Sequence, residues 1–445
     1  MGVWRIVVYL LLPYAIGNLI WRGLRYSEYW HRWPERFGFV TRLSGLRTLW
    51  VHAVSVGEVR SAAPLVGALV ERYPKHRIVV TTMTPTGSEQ VRDLFGDRVS
   101  HCYVPYDFPD AVRRFLDRVR PEAAVIAETE FWPNIFAACG RRRIPLLLVN
   151  GRVSQASLRG YLRVPNIARA MLGNADLLCA QTRVDGQRLR NLGAAEHLIH
   201  VTGNLKFDVE VPSRLLEEAR ALRGHWGRER PVWIAASTHG GEERKVLEAY
   251  ALLKRHLPAL LLVLVPRHPE RFNAVAALSR RRGFTVALRS RTPGALPVGT
   301  DVLVGDTMGE LQRLYAAADV AFIGGSLVPH GGQNLLEACA VEVPVVFGPH
   351  MFHFEEISAM ALERGAARQV HDVLGLAEAV ALYFDQPDLR RAAGSAAHTL
   401  VTDNRGALDR TLTLVEDAFR AAAISGGETA RDSSTHSTAP VLPRD

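Results

Sequence analysis

The sequence predicts an α/β protein built from two doubly wound parallel sheets. Short continuous runs of Val, Ile and Leu alternate with longer amphipathic segments, which is typical of strands buried on both faces between helices. This series is interrupted by a charged helical segment at 211–231 and then begins again. The length of 445 residues suits two domains, and 48% hydrophobic with 22% charged residues excludes wholesale disorder. We therefore expect two Rossmann-like domains facing a cleft.

The predicted elements follow one another in a regular order. The first series has strands at 49–56, 77–83, 123–128, 144–150, 175–181 and 197–203, with a helix at 60–73 after the first strand. The second series has strands at 232–238, 259–266, 301–305, 319–326 and 343–348. A last helical pattern covers 404–423, and the Ser/Thr/Gly/Pro-rich end is expected to be disordered. The predicted division is an anchor with a basic segment, a first domain, a linker, a second domain, a C-terminal helix and a tail, at 1–38, 39–210, 211–230, 231–403, 404–424 and 425–445.

The amino terminus is expected to anchor the protein to a membrane. Val3 to Trp21 is almost wholly apolar and long enough for one bilayer crossing, at about 1.5 Å per residue. Pro13 and Asn18 leave open a shallow helix that lies in the membrane surface. A signal peptide is the alternative, disfavoured because a basic first region and a small-residue cleavage site are missing. Basic residues follow at once, and they place the main body on the cytoplasmic side: Arg22, Arg25, Arg32 and Arg36.

The net charge and the cysteine content restrict the classes of partner and of site that can be expected. The net charge of +9 suits an anionic partner, which can be nucleic acid, an acidic membrane surface or a phosphorylated substrate. Nucleic acid is disfavoured because basic residues do not interleave with aromatic ones and no known binding module is present. The 4 cysteines are widely separated, so a zinc site or a disulfide framework is not expected.

Candidate site residues stand directly after predicted strands, where parallel sheets bind ligands. Glu58 lies in a Gly-Glu turn at the start of a helix, whose dipole would keep the carboxylate ionised, although simple helix capping is the alternative. Glu128 and Glu130 follow another strand and could bind a metal, but at most one of them is expected to point into the cleft. Lys206 closes the first series and could meet an anionic group, or be ordinary solvated surface.

The second half carries cations and glycine-rich turns after its strands. Arg267 lies in a dense charged turn, for which a solvated loop is the alternative. Two glycine-rich turns, 305–310 and 324–337, lead into helices and would offer backbone N–H groups to a phosphate. Neither turn fits the G-x-G-x-x-G or the P-loop pattern, so dinucleotide binding and ATP hydrolysis are disfavoured.

Taken in order, these motifs resemble those of the 3-deoxy-D-manno-octulosonic acid (Kdo) transferases of lipopolysaccharide assembly. The resemblance implies a GT-B glycosyltransferase fold, CMP-Kdo as donor and a lipid A precursor, lipid IVA, as acceptor. It also implies inversion at the anomeric carbon without a metal or cofactor. The matching motifs are HAVSVGEV (52–59), TTMTPTG (81–87), ETEFWPN (128–134), VTGNLKFD (201–208), STHGGEE (237–243), VPRHPERF (265–272), GDTMGEL (305–311), GGSL (324–327) and GPHMFHF (348–354).

The resemblance also implies roles for particular residues. Glu58 matches the general base, and Glu130 with Lys206 matches positions that assist the transition state. Gln333 stands where the family usually has histidine, so altered donor affinity is expected. The family usually has a proline after the asparagine that matches Asn334, and this chain has Leu335 there. The segments that match CMP-binding positions are Pro266, Arg267, Met308, Gly309, Glu310, Asn334, Leu335, Leu336 and Glu337.

Two alternatives remain beside a Kdo transferase at the inner membrane with anionic lipids as partners. One is a GT-B enzyme that uses another nucleotide sugar. The other is a catalytically silent glycolipid-binding protein, which is disfavoured because Glu58 is present.

Overall fold

The computed structural model describes residues 9, 12–25 and 27–432. The chain forms two compact units, one that runs to Asp208 and resumes at Gly406, and one that covers Val209–Arg405. Each unit contains a seven-stranded sheet whose neighbouring strands are all parallel.

The first unit has the strand order β3-β2-β1-β4-β5-β6-β7. Its strands are β1 Arg47–His52, β2 His76–Thr82, β3 Ser100–Tyr103, β4 Pro121–Ala127, β5 Leu146–Gly151, β6 Leu177–Ala180 and β7 Ile199–Val201. The helices of its first segment, which ends at Asp208, are α1 Leu12–Arg25, α2 Val56–Arg72, α3 Pro85–Phe95, α4 Pro109–Val119, α5 Pro133–Arg141, α6 Gln155–Tyr161, α7 Pro165–Leu172 and α8 Arg183–Asn191.

The second unit has the strand order β10-β11-β9-β8-β12-β13-β14. Its strands are β8 Val232–Thr238, β9 Leu261–Pro266, β10 Val286–Leu288, β11 Val302–Val304, β12 Val320–Ile323, β13 Val345–Phe347 and β14 Ala367–Gln369. Its helices are α9 Ser213–Trp226, α10 Glu242–His256, α11 Phe272–Arg281, α12 Leu311–Ala316, α13 Leu336–Cys339, α14 Glu355–Glu363, α15 Val373–Asp385 and α16 Pro387–Asn404.

Helices cover both faces of the first sheet, as the continuous apolar strands predict. Successive side chains of a strand point to opposite faces, so Trp50 packs on one side with the ring of Phe115 at 4.9 Å. Leu49 and Val51 lie in the core of the other side, together with Leu65 of α2. Burial on both faces explains why these strands show no alternation of polar residues.

The final helix, α17 (Ala407–Asp432), returns to the first unit. Its Leu412 and Val415 are buried in the same core as α2. The carboxylate of Asp208 accepts hydrogen bonds from the backbone N–H groups of Gly406 at 2.6 Å and Leu408 at 2.7 Å. A side chain near the end of the first pass therefore holds the start of the returning helix in place.

The strand orders define where ligands are expected. The chain reverses its direction of strand addition between β1 and β4 in the first sheet, and between β8 and β12 in the second. In open parallel sheets, the crevice outside the carboxyl ends at such a switch point is the usual binding site. The turns after these four strands are therefore the first places to examine.

The prediction of two parallel α/β domains is confirmed, but three strands were missed. These are the edge strands β3, β10 and β14. They are short and only partly buried, so they lack the continuous apolar run by which the central strands are recognised. The predicted linker, 211–230, contains the helix α9 and belongs to the second unit.

The predicted ends of the chain fall partly outside the described residues. Of the predicted anchor, Val3 to Trp21, residues 3–8, 10 and 11 lie outside. No helix in the described ranges is both long and apolar enough to cross a membrane. The predicted disordered tail begins within α17, and residues 433–445 lie outside the described part.

Candidate active site

Glu58 lies in the first turn of α2, which begins directly after β1 at the switch point of the first sheet. Ser55 caps this helix and accepts a hydrogen bond from the Glu58 N–H at 3.4 Å. The Glu58 carboxylate in turn accepts from the Val54 N–H at 2.5 Å and from the Ser55 hydroxyl at 3.0 Å. This is a variant of the capping box, so the capping interpretation is correct in part. Capping also fixes the carboxylate in one orientation.

Burial dominates the protonation of Glu58. Loss of solvent, followed by repulsion from the carboxylates of Glu130 and Glu128, raises the pKa of Glu58 to about 8. The hydrogen bonds from Val54 and Ser55 oppose this rise without cancelling it. The expectation that the helix N-terminus keeps Glu58 ionised therefore does not hold for the protein alone at neutral pH. The sequence cannot show burial, which is the larger effect here.

The turn after β4 brings Glu130 to the same switch point. Glu128 adopts a left-handed backbone conformation with φ of 56°, rare for a residue with a side chain, while its N–H donates to the Val149 carbonyl at 2.9 Å. The indole N–H of Trp132 donates to the Glu130 carboxylate at 2.8 Å. The ring of buried His52 lies edge-on to Trp132, with centroids 5.8 Å apart. Trp132 is therefore held between strand β1 and the carboxylate that it orients.

The metal site suggested for Glu128 and Glu130 lacks a third ligand among the described residues. Within the described ranges, no group of three or more His, Cys, Asp or Glu side chains could hold a metal ion. Burial raises the pKa of Glu130, and the neighbouring charge of Glu128 raises it further. Glu58 and Glu130 therefore both have raised pKa values at one edge of the sheet, so this region can accept and hold a proton.

Lys206 lies in a short turn that is tied to the helix of Glu58. The Asn150 side chain donates to the Ser61 hydroxyl of α2 at 2.7 Å and accepts from the Leu205 N–H at 3.0 Å. Lys206 itself is half-buried, and its N–H donates to the Asn204 side chain at 3.0 Å. Asn150 thus links the end of β5, the start of α2 and the Lys206 turn. Sequence analysis missed Asn150, whose left-handed φ of 53° leaves no pattern in the sequence.

In the second unit, Arg267 lies next to the start of α13. Its backbone N–H donates to the Thr238 carbonyl at 3.0 Å, which joins the turns after β9 and β8. Burial lowers the pKa of Arg267, and the charge of Glu337 opposes that shift. Burial also raises the pKa of Glu337, which accepts from the Asn334 side chain at 3.3 Å. The structure therefore brings Arg267, Asn334 and Glu337 together, three of the residues predicted to bind CMP.

Three other residues predicted to bind CMP have side chains packed inside the second unit. Pro266, Leu335 and Leu336 are buried, and the Leu336 N–H donates to the Asn334 side chain at 3.0 Å. The replacement of proline by Leu335 is accommodated because this leucine is 0% exposed in the core.

The turn after β11 places Glu310 in a network of arginines. Arg289 donates to its two oxygens at 3.1 and 3.2 Å, and Arg313 pairs with it from the next turn of chain. Met308 is 67% exposed, and Gly309 has a φ of 77°. The Glu310 carboxylate is therefore engaged within the protein, and the turn offers Met308 and its backbone to a ligand.

The turn after β12 corrects one prediction. The backbone N–H groups of 324–337 were expected to be available to a phosphate, but those of residues 325–327 bind the carboxylate of Glu242. Gly325, Ser326 and Leu327 donate to Glu242 at 2.7, 3.1 and 2.9 Å, and His239 donates its N–H at 3.2 Å. Glu242 is 0% exposed, which explains why these donors are satisfied inside the protein. The glutamate that follows Gly-Gly in the first turn of α10 was the available signal, and sequence analysis missed it.

Histidines surround this turn. His239 stacks on His330 with ring centroids 4.3 Å apart and meets His268 edge-on at 5.4 Å. The Gln333 side-chain nitrogen lies 3.1 Å from Nε2 of His239. Burial, followed by the nearby histidine charges, lowers the pKa of His239 to about 4, so this ring is neutral at pH 7. The residue that departs from the family pattern, Gln333, therefore contacts a neutral histidine.

Comparison with known proteins gives a consistent result. A family model described as 3-deoxy-D-manno-octulosonic-acid transferase (kdotransferase) matches residues 31–209. A 3-deoxy-D-manno-octulosonic acid transferase of Haemophilus influenzae is 40% identical over 405 residues, covering 90% of this chain and 94% of the relative. One from Bordetella pertussis is 39% identical over 431 residues, covering 92% and 98% of the two chains.

Solved structures support the architecture. The crystal structure of a UDP-N-acetylglucosamine 2-epimerase, described as putative, from Listeria monocytogenes matches with a TM-score of 0.52 at 16% identity. The match covers 85% of this chain and 98% of that one. The two parallel α/β units thus resemble the GT-B glycosyltransferases in fold, and the relatives of high identity define the activity. The chain belongs to the 3-deoxy-D-manno-octulosonic acid transferase family and is a glycosyltransferase.

Proposed function

We propose that the protein transfers Kdo from CMP-Kdo to the lipid A precursor lipid IVA, with inversion at the anomeric carbon. The observation that carries this proposal is the Glu58 carboxylate, half-buried at the switch point and held by Val54 and Ser55 beside Glu130. A sugar hydroxyl is a poor nucleophile, and a base fixed in this way contributes roughly a hundredfold or more to its reaction.

In the proposed reaction, Glu58 removes the proton of the acceptor hydroxyl as its oxygen attacks the anomeric carbon of Kdo. The bond from that carbon to the CMP phosphate breaks, and its electron pair leaves with CMP. One displacement from the opposite face inverts the configuration. A pKa of about 8 makes Glu58 a stronger base than an ordinary carboxylate while leaving a usable ionised fraction near neutral pH.

The donor is assigned to the second unit. Arg267 would pair with the CMP phosphate, and the Glu337 carboxylate would accept from ribose hydroxyls, with Asn334 orienting Glu337. Lys206 and Glu130 would assist as charge moves toward the leaving phosphate and away from the acceptor. Negative charge on that phosphate is then stabilised by fixed cations and dipoles, with no metal required.

The site of action is proposed to be the cytoplasmic face of the inner membrane. The apolar amino-terminal segment with the arginines that follow it supports this placement, since basic residues flank membrane segments on the cytoplasmic side. Anionic lipids at that surface would attract the same arginines.

The test is incubation of the full-length protein with CMP-Kdo and a tetraacyl lipid A precursor, followed by mass spectrometry of the lipid. We expect the lipid to gain the mass of Kdo, and no added mass would overturn the proposal. Calorimetry that compares the affinities for CMP and UDP distinguishes CMP-Kdo from the alternative donors. Tighter binding of UDP would indicate another nucleotide sugar.

A further inference from the structure

Trp132 lies in the turn after β4, and its side chain contacts one of the candidate catalytic carboxylates. Its indole N–H donates to the Glu130 carboxylate at 2.8 Å. An indole N–H can only donate, and it donates most strongly to a carboxylate that carries its charge. The contact therefore favours the ionised form of Glu130 over the protonated form, in addition to fixing its orientation.

The start of α5 restricts the backbone of Trp132. Trp132 is the N-cap residue of this helix, and Pro133 follows it as the first helical residue. The carboxylate of Asp107 accepts from the backbone N–H groups of Asn134 and Ile135, each at 2.9 Å. This ties the first turn of α5 to the segment that precedes α4. The indole therefore extends from a backbone that has little freedom to move.

A buried histidine of β1 supports the ring of Trp132. His52, which meets this ring edge-on, is 0% exposed, and its Nδ1 lies 2.9 Å from the Thr81 hydroxyl. The same hydroxyl accepts from the Trp50 indole at 2.8 Å, so His52 is held by the neighbouring strand β2. Burial lowers the pKa of His52 to about 4 and leaves the ring neutral at pH 7. His52 therefore confines Trp132 without bringing a positive charge that would compete for Glu130.

The acidic surroundings of Glu130 oppose its ionisation. Burial raises the pKa of Glu130, and the charge of Glu128 raises it further, whereas the hydrogen bond from Trp132 lowers it. The charge of Glu130 in turn raises the pKa of Glu58 in α2 and of Tyr161 in α6. An ionised Glu130 at this edge therefore depends on the donor that Trp132 supplies.

We propose that Trp132 is a positioning residue for the transfer reaction, whose indole N–H holds the Glu130 carboxylate ionised and in one orientation. The inference rests on the proposed function, in which positive charge develops at the anomeric carbon as its bond to the phosphate breaks. A fixed carboxylate stabilises that charge, whereas a protonated one does not. The same charge on Glu130 makes Glu58 a stronger base. Trp132 thus supports both carboxylates through one hydrogen bond.

The kinetic test removes the indole N–H while keeping the size of the ring. In the full-length protein, Trp132 is replaced by benzothienylalanine, whose sulfur takes the place of the N–H. We expect kcat for Kdo transfer to fall about tenfold or more, as for loss of a hydrogen bond to a charged group. The rising limb of kcat/KM against pH should move to lower pH, because Glu130 then holds a proton more readily and repels Glu58 less.

The matched control makes the same replacement at Trp33. The indole N–H of Trp33 also donates within the first unit, to the Tyr29 carbonyl at 2.6 Å, but it contacts no carboxylate. This variant is expected to keep the rate and the pH profile of the wild type. Equal changes in the Trp33 and Trp132 variants would overturn the proposal.

Glu130→Gln separates positioning from simple support of the fold. Glutamine cannot carry the charge that the indole stabilises, so in this background the replacement of Trp132 should leave both the rate and the rising limb unchanged. An equal loss of rate with and without Glu130 would overturn the proposal. A rising limb that stays in place when Trp132 is replaced in the presence of Glu130 would overturn it too.

A measurement without substrates keeps the test independent of the proposed reaction. The ¹⁵N–H signal of the Trp132 indole is followed against pH by NMR and is assigned through its loss in Trp132→Phe. We expect this signal to move as Glu130 takes up a proton, and to stop moving in Glu130→Gln. A signal that stays fixed in the wild type, or one that still moves in Glu130→Gln, would overturn the proposal. The expected movement in a protein that transfers no Kdo would contradict the proposed reaction and leave the hydrogen bond in place.

Discussion

The two sheets have related topologies but carry different side chains at their carboxyl ends. At the first switch point, Glu130 lies close enough for its charge to raise the pKa of Glu58. At the second, Arg267 lies near Glu337, and the neutral ring of His239 stacks on His330. The fold supplies two equivalent edges, and the side chains that follow the strands give one edge the proposed base and the other the proposed partner of the CMP phosphate. Fold alone therefore does not assign function to either edge.

The largest expected effect comes from removing the base. Glu58→Gln keeps the size of the side chain but cannot accept a proton, so we expect kcat for Kdo transfer to fall by about a hundredfold or more. CMP affinity, measured by calorimetry, is expected to stay unchanged because the proposed donor residues lie in the second unit. Glu71→Gln, an exposed glutamate on the same helix, serves as the control and should transfer normally. Wild-type turnover in Glu58→Gln would remove this residue from its role.

A smaller effect is expected from removing Arg267 in the second unit. Arg267→Met removes the proposed partner of the CMP phosphate and leaves Glu337 without its cation. One hydrogen bond to a charged group contributes about 1.5–3 kcal/mol, so CMP affinity should fall roughly ten- to hundredfold. Arg280→Gln, on the exposed face of α11, is the matched control. Unchanged affinity in Arg267→Met would show that the phosphate lies elsewhere.

Ionisation of the buried Glu58 is also expected to lower the free energy of unfolding at high pH. The usual pKa of 4.5 applies to Glu58 in the unfolded chain, whereas the folded protein holds its proton up to about pH 8. The free energy of unfolding therefore falls as pH rises between these values. Glu58→Gln should raise Tm by a few degrees at pH 8 and leave it nearly unchanged near pH 4.5, as calorimetry would show. A Tm difference that does not grow with pH would indicate that Glu58 is not buried against other charges.

Sequence reasoning predicted the two parallel domains and the turns of the candidate site for one physical reason. Central strands buried on both faces are continuous apolar runs, and the residues after them are marked by glycine and charge. The edge strands β3, β10 and β14 lack that run and were missed. Glu242 and Asn150 were missed for a different reason, since each binds backbone groups far away in the chain. Such contacts, and the burial that raises the pKa of Glu58, exist only after folding.

The pH dependence of kcat/KM tests the buried base most directly. For the wild type, kcat/KM is expected to rise with pH through about 8 as Glu58 loses its proton. Glu130→Gln removes a charge that raises this pKa, so the rising limb should move to lower pH even though the overall rate falls. A limb that rises near pH 4.5 in the wild type, or one that does not move in Glu130→Gln, would contradict the account of Glu58 as a base tuned by burial and by its neighbouring carboxylate.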